Sequence, residues 1–114
     1  MATKPFPLTV VVAPAAQADL FGIWNDNAER YSVDHADDYI EFLQAGIDAL
    51  ATEHGDGKPL EDFDEFKFVT RKKKPKGHGH YLIFRVDEAA QIVRVLRVYH
   101  TSMDIIGRLK SEFE

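Results

Sequence analysis

The chain has 114 residues, 45% of them hydrophobic, and a net charge of −5, enough for one domain with a modest core. The absence of cysteine excludes a disulfide framework, a thiolate zinc site and a cysteine nucleophile. No run of about 18 apolar residues is present to span a membrane, and Met1 to Pro7 lacks the apolar stretch of a signal peptide, so a cytoplasmic protein without membrane contact is expected.

The N-terminal third predicts a strand followed by two helices. Leu8 to Val12 is a β-branched run, and Pro14 suits the first turn of a helix, where its missing N–H would be unpaired anyway. Ala16, Leu20, Ile23, Trp24 and Ala28 then recur at three- and four-residue spacing as one apolar stripe, with Asp19, Asp26 and Glu29 largely outside it. Trp24 reads as a core residue. Ser32 or Asp34 can cap a second helix in which Ala36, Ile40, Leu43, Ile47 and Leu50 repeat the pattern to about Glu53, before Gly55-Asp56-Gly57-Lys58-Pro59 stops it. Neither helix buries its stripe alone, so the pair is expected as an antiparallel hairpin lying on a sheet.

The C-terminal half supplies the rest of that sheet. Phe66 to Thr70 is a plausible strand. His80-Tyr81-Leu82-Ile83-Phe84-Arg85-Val86 and Gln91-Ile92-Val93-Arg94-Val95-Leu96 are aromatic and β-branched runs joined by Asp87-Glu88-Ala89-Ala90, which marks a hairpin. A helical tail from about Met103 to Phe113 closes the chain. The class expected is α+β, one domain over residues 1–114, with about four strands.

Charge divides the two halves. Residues 15–65 hold 14 acidic side chains against Arg30 and Lys58, whereas residues 66–114 hold 11 basic against 5 acidic ones. Such asymmetry suits one surface to an acidic partner and the other to solvent. Its densest part is Arg71-Lys72-Lys73-Lys74-Pro75-Lys76-Gly77-His78-Gly79-His80, a loop able to drape cations along phosphates or carboxylates, or simply to keep an edge strand soluble. His78 and His80 could act as acids or ligands, but His-x-His alone falls short of the three or so ligands that a metal site needs. At the end of the last strand, alternation sends Arg97 and Tyr99 to one face and His100 to the other; Arg97 suits a carboxylate such as Asp104, and His100 a structural hydrogen bond.

The strand from His80, and the run Arg97-Val98-Tyr99-His100 followed by Met103-Asp104, resemble ParE-type toxins of the RelE/ParE toxin–antitoxin superfamily. The element order, strand, two helices, three strands and a helical tail, is also that of this superfamily. The resemblance implies a toxin that binds and inhibits DNA gyrase, stabilises plasmids, is neutralised by a ParD-like antitoxin and meets DNA only through the antitoxin complex. It implies no catalysis, metal or cofactor; Arg71, Lys72, Lys73, Lys74, Lys76, His78, Arg97 and His100 become the target-binding candidates. The chain departs from that branch in being acidic, and in carrying Tyr99 where leucine is usual.

RelE-like members instead cut messenger RNA on the ribosome, with Lys, Arg and Tyr as catalytic groups. Here Tyr81 stands where such a nuclease usually has arginine, and no tyrosine follows Asp104. A substitute set would be Lys72, Lys74, Arg85, Arg97, Tyr99 and His100. A third class is a degenerate member that serves only as co-repressor with its antitoxin.

Overall fold

The structure, a computed structural model, describes residues 7–113. A strand β1 (Thr9–Val12) leads into helix α1 (Pro14–Arg30) and helix α2 (Val33–Asp48). A short helix α3 (Leu50–Glu53) and a 3-10 turn follow, then strands β2 (Lys58–Leu60), β3 (Phe63–Arg71), β4 (His80–Asp87) and β5 (Ile92–His100), and a C-terminal helix α4 (Ile105–Phe113). Pro14 starts α1 as expected, and the Ser32 hydroxyl accepts the His35 N–H at 3.0 Å to cap α2.

The sheet has five strands in the order β1-β5-β4-β3-β2, with β1 parallel to β5 and the other pairs antiparallel. The added strand, β2, forms where a helix stop was expected. Its Pro59 lacks a donor, which an edge strand tolerates, and Asp62 turns the chain into β3 with φ 69°. β3 in turn begins three residues before the predicted Phe66.

One face of the sheet, through Leu82, Phe84, Val93 and Val95, packs on Leu43 and Ile47 of the helical hairpin. The other face, through Ile83 and Tyr99, packs on Leu109 of α4 and on Leu60. Trp24 departs from the core reading. It is half-buried, outside the main core, and its indole N–H donates to Asp37 Oδ1 at 2.8 Å, so it bridges the two helices at the rim.

A bulge makes the two faces compatible with the sequence of β5. Ile83 pairs with Arg97 and Phe84 with Val95, leaving Leu96 as the extra residue. Strict alternation would put Arg97 on the face of Val93 and Val95. With the bulge, Val98 joins the apolar face and Arg97 turns away with Tyr99.

Candidate functional site

Except for Arg85, the residues singled out from sequence lie toward the end of the sheet where β3 runs out, β4 begins and β5 ends. Gly79 fixes this junction. Its N–H donates to Thr101 Oγ1 at 3.2 Å and its carbonyl accepts the Thr101 N–H at 3.0 Å; a β-carbon there would run into the carbonyl of Arg71. The loop before it carries Lys72, Lys73, Lys74 and Lys76, all exposed and, among the described residues, without ion pairs. A local turn, Gly77 N–H to the Lys74 carbonyl at 3.0 Å, keeps the loop compact.

Arg71 does not share that freedom. Its Nη2 lies 3.4 Å from the Gly46 carbonyl and 3.9 Å from Glu53, and its buried Nε has no hydrogen-bond partner among the described residues. The side chain lies flat on α2, where Gly46 leaves room for it and a β-carbon would touch its Nε at 2.9 Å. Four lysines, rather than five cations, therefore face outward from this segment.

Three histidines converge behind the loop. His80 and His100 are directly opposed in the β4–β5 register, with ring centroids 5.3 Å apart, and the His78 ring lies 5.2 Å from that of His100. His80 is buried and pairs through Nδ1 with the Tyr39 hydroxyl at 2.7 Å. Burial, and then the nearby His100, push its pKa down to about 4, so it is neutral near pH 7 and accepts the Tyr39 proton. His100 Nδ1 accepts the Ser102 N–H at 3.1 Å and lies 2.7 Å from Ser102 Oγ. The expected structural hydrogen bond of His100 is thus present, made to the next turn.

Arg97 is held differently from the expectation. Its partner is not Asp104, which caps α4 by accepting the Gly107 N–H at 3.1 Å. Instead Arg97 Nε and Nη2 donate to the two oxygens of Asp19 at 2.8 and 2.7 Å, and Nη1 donates to Glu112 at 2.6 Å. The guanidinium also lies 4.8 Å from the centre of the Tyr99 ring. Tyr99 is buried, its hydroxyl 3.3 Å from Glu112. Burial is the main cause that raises its pKa, opposed by Arg97. As expected, Arg97 and Tyr99 occupy the face opposite His100.

Arg85 stands apart. It is opposite Arg94 in the register and reaches Glu65 at 3.7 Å, on the far side of the bulge from the lysine loop. The six possible nuclease groups therefore divide into an exposed lysine pair, a histidine, an internally paired Arg97–Tyr99 unit and a separate Arg85. Asp19 is the residue that sequence reading missed. Set outside the apolar stripe by its charge, it nevertheless lies three residues after Ala16 and four before Ile23, at the border of that stripe and half-buried, and a carboxylate there calls for a cationic partner.

A mixed sheet with a helical hairpin on one face and a C-terminal helix on the other is the RelE/ParE toxin fold. It overlays a structure titled "Chromosomal ParDE TA system from P. aeruginosa" with a TM-score of 0.69, covering 84% of this chain and 98% of that one at 15% identity. It also overlays a chain of the RelBE2 toxin–antitoxin complex from Mycobacterium tuberculosis with a TM-score of 0.58, covering 90% of this chain and all of the other at 21% identity. The family model for the ParE toxin of the type II toxin–antitoxin system parDE matches residues 10–105. Toxin ParE1 of Caulobacter vibrioides is 36% identical over 93% of this chain and 98% of its own length, and Toxin ParE1 of M. tuberculosis is 36% identical over 83% and 91%. The chain belongs to the ParE toxin family of type II toxin–antitoxin systems.

Proposed function

We propose that this toxin acts by binding DNA gyrase, in the cytoplasm, and that a cognate ParD-like antitoxin neutralises it. The observation that carries this reading is the internal pairing of the groups a nuclease would need. Cleavage of RNA requires a base for the 2'-hydroxyl, a cation on the phosphate and an acid for the leaving oxygen, all open to the substrate. Here Arg97 is spent on Asp19 and Glu112, Tyr99 is buried against Glu112, and His80 is neutral behind Tyr39. What faces outward is charge, in Lys72, Lys73, Lys74 and Lys76, which suits binding to an acidic surface.

The antitoxin reading draws on the sheet edge. β2 pairs with β3 only between Phe63 and Phe68, so the outer side of Thr70 and Arg71 has no strand beside it among the described residues, and a disordered partner can add one there. DNA would be met through that antitoxin, since the hairpin presents exposed carboxylates at Asp26, Glu29, Asp34, Asp38 and Glu41, which repel phosphates. Supercoiling by purified gyrase in the presence of the toxin, set beside messenger integrity in a translating extract, tests the reading.

A further inference from the structure

The histidine cluster is left without a task by a purely binding role, yet it adjoins the exposed lysine loop. Resting on the reading of the lysine loop as the target-binding surface, we propose that His78 and His100 join Lys72, Lys73, Lys74 and Lys76 in a single oxyanion-binding surface for a carboxylate-rich polypeptide segment, and that this segment is bound together with protons.

Geometry supplies the coupling. Two imidazoles with centroids 5.2 Å apart repel each other when both are protonated, and no carboxylate pairs with either among the described residues. A partner carboxylate between them removes that repulsion, so each proton favours the anion and the anion favours each proton. Histidine is the side chain that titrates in the relevant range. The C-terminal end of the loop is held to β5, because Gly79 is bound to Thr101 at both its N–H and its carbonyl.

The groups around the pair agree. From α2, Tyr39 donates to His80 Nδ1, and His80, its pKa lowered by burial, stays neutral. From β4, His80 forms the wall behind His100. Lys72 lies against Gly79 and adds a permanent charge. From the turn after β5, the Ser102 hydroxyl beside Nδ1 of His100 can reverse and accept a proton placed there, which offsets the loss of the Ser102 N–H bond to that nitrogen.

The choice of polypeptide over nucleic acid also has a structural basis. Single-stranded nucleic acid is gripped by cations interleaved with aromatic rings on which bases stack. Residues 72–79 contain no Phe, Tyr or Trp, and the most exposed aromatic residues, Phe21, Tyr31 and Phe113, belong to α1, the turn after it and α4.

The test is calorimetric titration of the full chain with a peptide of alternating Glu and Ser, and with a single-stranded oligonucleotide of equal charge. Both are run at pH 7.5 and 6.0 in two buffers of different ionisation heat, which counts the protons taken up. The peptide is expected to bind roughly tenfold more tightly at pH 6.0, with net proton uptake. His78→Gln, on the exposed loop, should lower that uptake, and the folded double variant His78→Gln/His100→Gln should abolish it together with the gain in affinity. Binding that ignores pH, uptake that survives the double variant, or an equal proton-linked gain for the oligonucleotide would overturn the inference. Failure of the gyrase reading is seen separately, as intact supercoiling at pH 7.5 alongside proton-linked peptide binding.

Discussion

Asp19 on α1 holds two donors of β5 at once: the guanidinium of Arg97 through both carboxylate oxygens, and the N–H of Val98 at 2.9 Å. The reason lies in the sheet. β1 pairs with β5 only from Ile92 to Val95, so beyond that point the outer edge of β5 has no strand beside it among the described residues, and α1, which starts as Ala13 donates to the Val95 carbonyl, passes alongside. Asp19 takes over the role of the missing strand, and Arg97 compensates its charge. Glu112 then ties α4 to the same guanidinium.

This pairing is expected to be a major stabilising element. The side chains of Arg97 and Asp19 are 23% and 15% exposed, so breaking the pair leaves a largely desolvated charge. Arg97→Ala and Asp19→Ala should each cost about 2–3 kcal/mol, somewhat below the cost for fully buried pairs. The double variant should cost less than the sum by about 1–2 kcal/mol. Urea unfolding of the four proteins measures this coupling, and strictly additive losses would show that the two residues act independently.

The strands, the hairpin and the helical tail were legible because each carries its own period: β-branched runs for strands, three- and four-residue spacing for α1 and α2. β2 was not, because Lys58-Pro59-Leu60 has no periodic signal of its own and becomes a strand only by lying beside β3. The bulge at Leu96 is equally invisible, since it answers the conflict between an arginine and an apolar face. Trp24 misled for a related reason: its spacing matches the stripe, but it lies at the margin, where Asp37 offers its N–H a partner. At the site, Asp19 could have been read from its spacing, whereas the convergence of His78, His80 and His100 depends on the strand register.

His80 makes stability depend on pH. Its pKa is held at about 4 by burial, below the ordinary value near 6.5. Between those values the unfolded chain binds the proton that the folded chain excludes. The contribution of His80 is therefore intact above about pH 6.5 and is lost as the pH falls toward 4, a loss on the order of 3 kcal/mol for the full shift. Unfolding free energies of the wild type should decline through this window, and those of His80→Gln should decline less. Parallel curves for the two proteins would contradict the assignment.

Replacing Lys72, Lys73, Lys74 and Lys76 together by glutamine removes the outward charge without touching a hydrogen bond of the fold. Each of these solvated substitutions should change stability by no more than about 0.5 kcal/mol. Toxicity on expression should drop. A folded quadruple variant that arrests growth as fully as the wild type would reduce the loop to a solubilising segment.

The most direct measurement places the purified toxin in two parallel reactions, gyrase supercoiling of a relaxed plasmid and a translating extract whose messenger ends are mapped. If the toxin acts by binding, supercoiling is inhibited in proportion to toxin, and the ribosome-bound messenger remains whole. Nuclease chemistry at this site would instead leave supercoiling untouched and give codon-positioned cuts that vanish in His100→Gln, because losing a general acid or base costs about 10² to 10⁴ in rate. Such cuts would contradict the binding account.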